Sequence, residues 1–170
     1  MHRFRQASSE DAERLRTFAA RIYYETFASV NTPENMRAYM ETAFDSKYFV
    51  DELRDPRATF LIAEIEDQLS AYAKLFAAGA PECVSGEAPI ELVRFYVDQT
   101  WQGSGLAAAL MEECIAESKR RGFRTMFLGV WEKNERAKAF YRKWNFERVG
   151  EHVFYMGDDP QIDWWMVRAL

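Results

Sequence analysis

Ile90-Glu91-Leu92-Val93-Arg94-Phe95-Tyr96-Val97, running directly into Asp98-Gln99-Thr100-Trp101-Gln102-Gly103-Ser104-Gly105-Leu106-Ala107-Ala108, is the stretch on which the fold of this chain turns. Its first part is dominated by branched and aromatic apolar side chains and reads as a strand. The loop then passes through Gly103 and Gly105 and enters at once a helical pattern that runs to Arg121. Glycine lets a ligand come close to the main chain, and the free N–H groups at a helix start carry a partial positive charge. A strand, a glycine turn and a helix in that order predict a site for an anion, most often a phosphate. The plain alternative is a tight turn that packs the helix on its strand.

Downstream, Thr125 to Trp131 reads as a buried strand, Asn134 to Trp144 as a helix, and Phe146 to Met156 and Ile162 to Ala169 as strands. Upstream, Thr59 to Ile65 and Leu69 to Phe76 flank a polar turn at Glu66 to Gln68 and predict a hairpin. Three helical segments precede it. Leu15, Phe18, Ile22 and Phe27 mark the first, behind a capping signal at Ser8 and Asp11. Met36, Tyr39, Met40 and Phe44 mark the second, behind Thr32-Pro33-Glu34, and Tyr48 to Leu53 makes a short third that ends at Asp55-Pro56. Arg3 to Ala7 is a first strand, and Gly79 to Pro89 is a loop. The order β-α-α-(α)-β-β-β-α-β-α-β-β predicts an α/β protein, one domain over residues 1–170 with a central mixed sheet flanked by helices.

The 22 basic residues against 27 acidic ones leave a net charge of −5, which argues against a nucleic-acid partner and favours a neutral or cationic one. Apolar runs such as Leu106 to Met111 are too short to span a membrane, and Met1 to Gln6 carries no signal-peptide core, so no membrane partner is expected. Cys83 and Cys114, with His2 and His152, show no metal-ligand spacing. No metal is expected, and a reducing cytoplasm is the default location.

Two nucleotide-type readings compete for the loop. Gly103-Ser104-Gly105-Leu106-Ala107-Ala108 satisfies the G-x-G-x-x-G/A dinucleotide pattern, with Glu132 at the end of the next strand. An NAD(P)-binding unit commonly opens its domain, whereas about a hundred helix-rich residues precede this one. Gln102-x-x-Gly105-x-Ala107 fits instead the Q/R-x-x-G-x-G/A pyrophosphate loop of the GNAT superfamily of N-acetyltransferases, which the whole chain resembles. Phe95-Tyr96-Val97 before the loop, and Asn134, Ala137, Phe140-Tyr141 and Phe146 after it, stand in that family's order.

The resemblance implies the GNAT fold and transfer of an acetyl group from acetyl-CoA to a primary amine by direct attack in a ternary complex. It implies that the backbone of Gln102, Gly103, Ser104, Gly105, Leu106, Ala107 and Ala108 holds the CoA pyrophosphate. Main-chain groups of Phe95 and Val97 would pair with the pantetheine arm, while Asn134, with Lys143 or Arg142, would contact the cofactor elsewhere. Tyr141 would be the general acid and Glu91 the base that frees the amine. Each has a bland counterpart: Tyr141 lies in an apolar run with Ala137, Phe140 and Trp144, and Glu91 can be a structural ion-pair member. A glutamate that other members carry on the following strand is replaced by Gly129, and a usual glycine by Asn145.

Cys114 shares an apolar helix face and reads as a structural thiol. Trp164-Trp165 should put one ring on each face of a strand, serving the core and a homodimer contact. The segment from Tyr23 through Met36 resembles PaiA-type polyamine acetyltransferases, which makes Glu25 and Glu34 candidate carboxylates for a small polyamine. The alternatives for the acceptor are a protein amine or an aminoglycoside-like drug. A non-catalytic CoA-binding regulatory module is the alternative outside enzymes.

Overall fold

The computed structural model describes residues 2–170. Its strands are β1 (Arg3–Gln6), β2 (Ala58–Ile65), β3 (Gln68–Phe76), β4 (Pro89–Val97), β5 (Thr125–Trp131), β6 (Glu147–Met156) and β7 (Asp159–Ala169). Its helices are α1 (Ala12–Phe27), α2 (Pro33–Ala43), α3 (Ser46–Arg54), α4 (Leu106–Arg120) and α5 (Glu135–Lys143). The strands form one sheet in the order β1-β2-β3-β4-β5-β7-β6. Every neighbouring pair is antiparallel except β4 and β5, which are parallel and joined through α4.

Local chemistry sets the element ends. Ser8 and Asp11 close a reciprocal capping box ahead of α1, and the Thr32 hydroxyl accepts the Asn35 N–H with Pro33 in the first turn of α2. α3 begins earlier than its apolar pattern predicts because the Asp45 carboxylate accepts the Tyr48 N–H at 2.9 Å. Glu66 and Asp67 both take positive φ, the two-residue turn that matches the twist of a hairpin. Asn145, also at positive φ (61°), ends α5 in the left-handed conformation that the usual glycine would supply.

Each face of the sheet buries a layer. Leu106, Leu110, Met111 and Cys114 of α4 pack with Tyr141 and Phe146 against Ala73, Leu75, Leu92, Met126 and Leu128. Leu15, Phe18 and Ile22 of α1 and Phe49 of α3 cover Phe60, Ile62 and Tyr72 on the opposite face. Trp164 and Trp165 divide between the faces as expected. Lys138 and Arg148 lie over the Trp164 ring, while Trp165 meets Phe127 edge-on and stacks on His152 at 4.1 Å.

Two irregularities of β4 shape the centre of the molecule. Its parallel pairing with β5 covers only Pro89 to Glu91 against Thr125 to Phe127, so the strands part beyond that point. Its register with β3 moves from Arg94 opposite Lys74 to Leu92 opposite Leu75, which leaves Val93 as a bulge. The bulge puts Glu91 and Arg94 on the same face although they are three residues apart, and turns Leu92 and Phe95 to the other.

Candidate active site

The parting of β4 from β5 opens a cavity of about 480 Å³ that runs between the two helical layers. Glu91 through Val97 of β4 form one wall and Gly129, Val130 and Trp131 of β5 the other. Tyr141 closes it from α5, and Tyr23 and Asp163 reach it from the opposite face.

At one mouth lies the glycine loop. Asp98 caps the turn before it, accepting the Thr100 N–H at 2.9 Å, and the Ser104 hydroxyl donates to the Trp101 carbonyl at 2.6 Å while accepting the Leu106 N–H at 3.3 Å. Gly103 and Gly105 hold positive φ of 83° and 89°, and a β-carbon on either would meet no protein atom within 4 Å. Among the described residues, the N–H groups of Gly103, Gly105, Ala107 and Ala108 have no hydrogen-bond partner. Four free donors around an open hollow at the start of α4 suit a pyrophosphate. The Gln102 side chain is engaged instead, accepting a hydrogen bond from Arg136 of α5.

Along the cavity the main chain of β4 is exposed on one edge. Asp98 donates to the Ser70 carbonyl at 2.9 Å, so the pairs Ser70–Asp98 and Tyr72–Tyr96 are the hydrogen-bonded ones in this antiparallel ladder. Phe95 and Val97, which alternate with them, therefore aim their N–H and C=O groups at the gap left by β5. An extended arm laid there can pair as an added strand would. The Phe95 ring points to α5, stacked on Phe140 at 5.5 Å and edge-on to Tyr141 at 6.4 Å.

Tyr141 is wrapped by Phe95, Phe140 and Phe146, and burial pushes its hydroxyl up from the ordinary tyrosine value, so it holds its proton. That hydroxyl has no hydrogen-bond partner among the described residues, so the bland reading of a core tyrosine with a satisfied hydroxyl finds no support here. Asn134 caps α5 through Oδ1, which accepts the Ala137 N–H at 3.1 Å, and also lines the cavity. Lys143 and Arg142 lie at the far end of α5, exposed and outside the lining, whereas Arg136 lines the cavity beside the loop. A basic residue two positions after a helix cap was the available signal for Arg136.

On the other side, Glu91 is half-buried. Burial raises its carboxyl above the ordinary range and Lys74 pulls it back in part. Glu91 makes no direct ion pair among the described residues; Lys74 is bound to Glu52, which also holds Arg94 at 2.7 Å. Cys114 is fully buried, with its thiol pushed up by desolvation, as a structural thiol should be. Glu25 and Glu34 do not line the cavity: Glu25 is spent on Arg21 at 3.1 Å, and Glu34 is exposed in the first turn of α2. The acidic group that the sequence reading overlooked is Asp163. It sits opposite Trp131 on β5 and His152 on β6 and shares the chamber with Tyr23, Phe27 and Tyr39.

The chain is similar in sequence and in fold to known N-acetyltransferases. The chain is 31% identical over 167 residues to an uncharacterised N-acetyltransferase of Lactobacillus delbrueckii subsp. lactis, covering 97% of this chain and 95% of that one. An uncharacterised N-acetyltransferase of Mycobacterium tuberculosis is 31% identical over 160 residues, covering 94% and 98%. Among solved structures, the PaiA N-acetyltransferase of Thermoplasma acidophilum in complex with coenzyme A superposes with a TM-score of 0.77 at 20% identity, over 100% of this chain and 99% of that one. The YncA protein of Salmonella typhimurium, solved with acetyl-CoA, gives 0.74 at 17% identity, over 100% and 94%. The model of the acetyltransferase (GNAT) family matches residues 17–146, and with full-length relatives at this identity the chain belongs to that family of N-acetyltransferases.

Proposed function

We propose that the protein transfers an acetyl group from acetyl-CoA to a primary amine, with both substrates held in the cavity between β4 and β5. The observation that carries this reading is the set of four N–H groups, at Gly103, Gly105, Ala107 and Ala108, without a partner among the described residues, continued by the outward-facing main chain of Phe95 and Val97. Acetyl-CoA supplies the activated thioester. An alkyl amine has a pKa of about 10 and reaches neutral pH as an ammonium, so a base or a deprotonating water must take its proton before attack. Glu91, which lines the cavity and has no direct ion pair among the described residues, has that role. Tyr141 returns a proton to the departing sulfur from the α5 side, so that proton uptake and release occur at different walls.

A small polyamine is the finer reading of the acceptor. It is supported by the likeness to the PaiA structure and by the two carboxylates, Glu91 and Asp163, that line the cavity. Glu25 and Glu34 drop out of that argument. The test is release of free CoA thiol on mixing the protein with acetyl-CoA and a panel of amines. Acetyl-CoA alone should raise the melting temperature while NAD and NADP leave it unchanged; a ligand at about a hundred times its Kd adds roughly 2.7 kcal/mol. A shift with NAD, or no thiol released with any amine, defeats the reading.

A further inference from the structure

Gly129 has no side chain, and the space where one would stand is walled by its neighbours. A β-carbon there would lie 3.3 Å from Cε1 of His152, 3.4 Å from the Trp165 ring and 3.8 Å from Oδ2 of Asp163. Asp163 is half-buried in this hollow and has no hydrogen bond or ion pair among the described residues. The cations that share the cavity are committed elsewhere, Arg94 to Glu52 at 2.7 Å and Arg136 to Gln102. The cavity that Asp163 lines also carries an aromatic cluster: Tyr23 packs on Tyr39 and on Phe27 at 4.7 Å each, Phe27 meets Trp131, the strand partner of Asp163, at 6.5 Å, and Tyr39 meets Phe154 at 5.7 Å. A desolvated carboxylate without a partner among the described residues, in a cavity lined by aromatic rings, is complementary to an alkylammonium group.

Position decides which ammonium. The reacting amine must meet the thioester where β4 and α5 approach, near Glu91, Phe95 and Tyr141. Asp163 stands on β7, with β5 between it and β4, so it addresses a part of the acceptor that does not react. We propose that Asp163 is the specificity residue for a second, protonated amine on the acceptor, received between the carboxylate and the rings of Tyr23, Phe27 and Trp131. This rests on the acetyltransferase reading and narrows its acceptor to a molecule with two cationic centres.

The test compares 1,4-diaminobutane with butylamine as acceptors for the wild-type protein and for Asp163→Asn. The wild type should favour the diamine by at least about tenfold in kcat/KM. The variant should lose about tenfold on the diamine through KM, with kcat and the butylamine constants within about threefold and the acetyl-CoA melting shift intact. Asp163→Ser serves as a second variant if the first does not fold. The titratable and charged groups that line the cavity with Asp163 include Tyr23 from α1, Tyr39 from α2, Glu91 and Arg94 from β4, Arg136 from α5 and His152 from β6, so rates alone mix several titrations. The diamine-to-monoamine ratio removes those that act on both substrates. It should fall as pH drops through about 6, where Asp163 takes a proton, and stay flat in Asp163→Asn. Equal losses on both amines, or no preference in the wild type, overturns the proposal. Failure of the acetyltransferase reading looks different, since neither amine would then release CoA.

Discussion

Tyr141 and Glu91 are shifted the same way by the same cause, yet the consequences for function are opposite. Burial favours the neutral form of each, which keeps a proton on Tyr141 to give and makes Glu91 a stronger base than an exposed carboxylate. Tyr141→Phe keeps the ring among Phe95, Phe140 and Phe146, so folding and the acetyl-CoA melting shift should hold while kcat falls about 10² to 10⁴. An unchanged kcat returns Tyr141 to a packing role. Glu91→Gln should lower kcat and remove an acid limb that lies above the ordinary carboxylate value of about 4.3, because a base works only above its pKa. Both residues were legible in the sequence, Glu91 as a carboxylate in an otherwise apolar strand and Tyr141 in the apolar run of α5, with their proposed roles implied by the family resemblance. Asp163 was not, because its significance depends on a side chain missing from Gly129, two strand positions away from its own partner Trp131.

The loop and the bulge are the elements on which the site depends, and they differ in how openly the sequence states them. Gly103 and Gly105 announce a turn, and the structure gives both the positive φ that glycine accepts. The bulge at Val93 has no such mark in the residues and is implied only by the family resemblance; its position shows when β4 must pair with β3 while keeping Glu91 and Arg94 on one face. The strands around it were readable from branched and aromatic runs, but their order across the sheet follows from long-range pairing. Gly105→Val separates the two demands on the loop. A β-branched residue at this φ costs of order 1–3 kcal/mol, and its side chain would enter the open space beside the free N–H groups of the loop. Gly122→Val is the control: its φ of 86° imposes a similar strain and its β-carbon is equally unobstructed, but it lies past the end of α4. Both variants should melt lower than wild type, and only Gly105→Val should lose stabilisation by acetyl-CoA. Loss in both would mean that strain alone, not occupation of the hollow, impairs binding.

Across the whole molecule, acidic groups divide into those that hold the fold and those that tax it. Asp11 receives Arg5 at 2.6 and 2.7 Å and the Ser8 N–H at 2.8 Å, while Arg5 and Arg14 converge on Glu64, so that β1, β2 and the start of α1 share one charge network. Arg5 holds the Asp11 carboxyl well below the ordinary range. A depressed pKa stabilises the fold at every pH above the unfolded value of about 3.9, and the gain disappears as pH falls below it toward the folded one. Asp163 is the reverse. Burial lifts it to about 6, so folding is penalised above pH 6, progressively less between 6 and about 4, and not at all below that. Asp11→Asn should therefore melt lower than wild type at pH 8, with the gap closing in acid, whereas Asp163→Asn should melt higher at pH 8 and match wild type at pH 4. A carboxylate retained at a cost to stability is what a ligand-facing residue is expected to be. If Asp163→Asn melts lower at pH 8, the carboxylate has a structural partner and its role as a receptor for the acceptor's charge is lost with it.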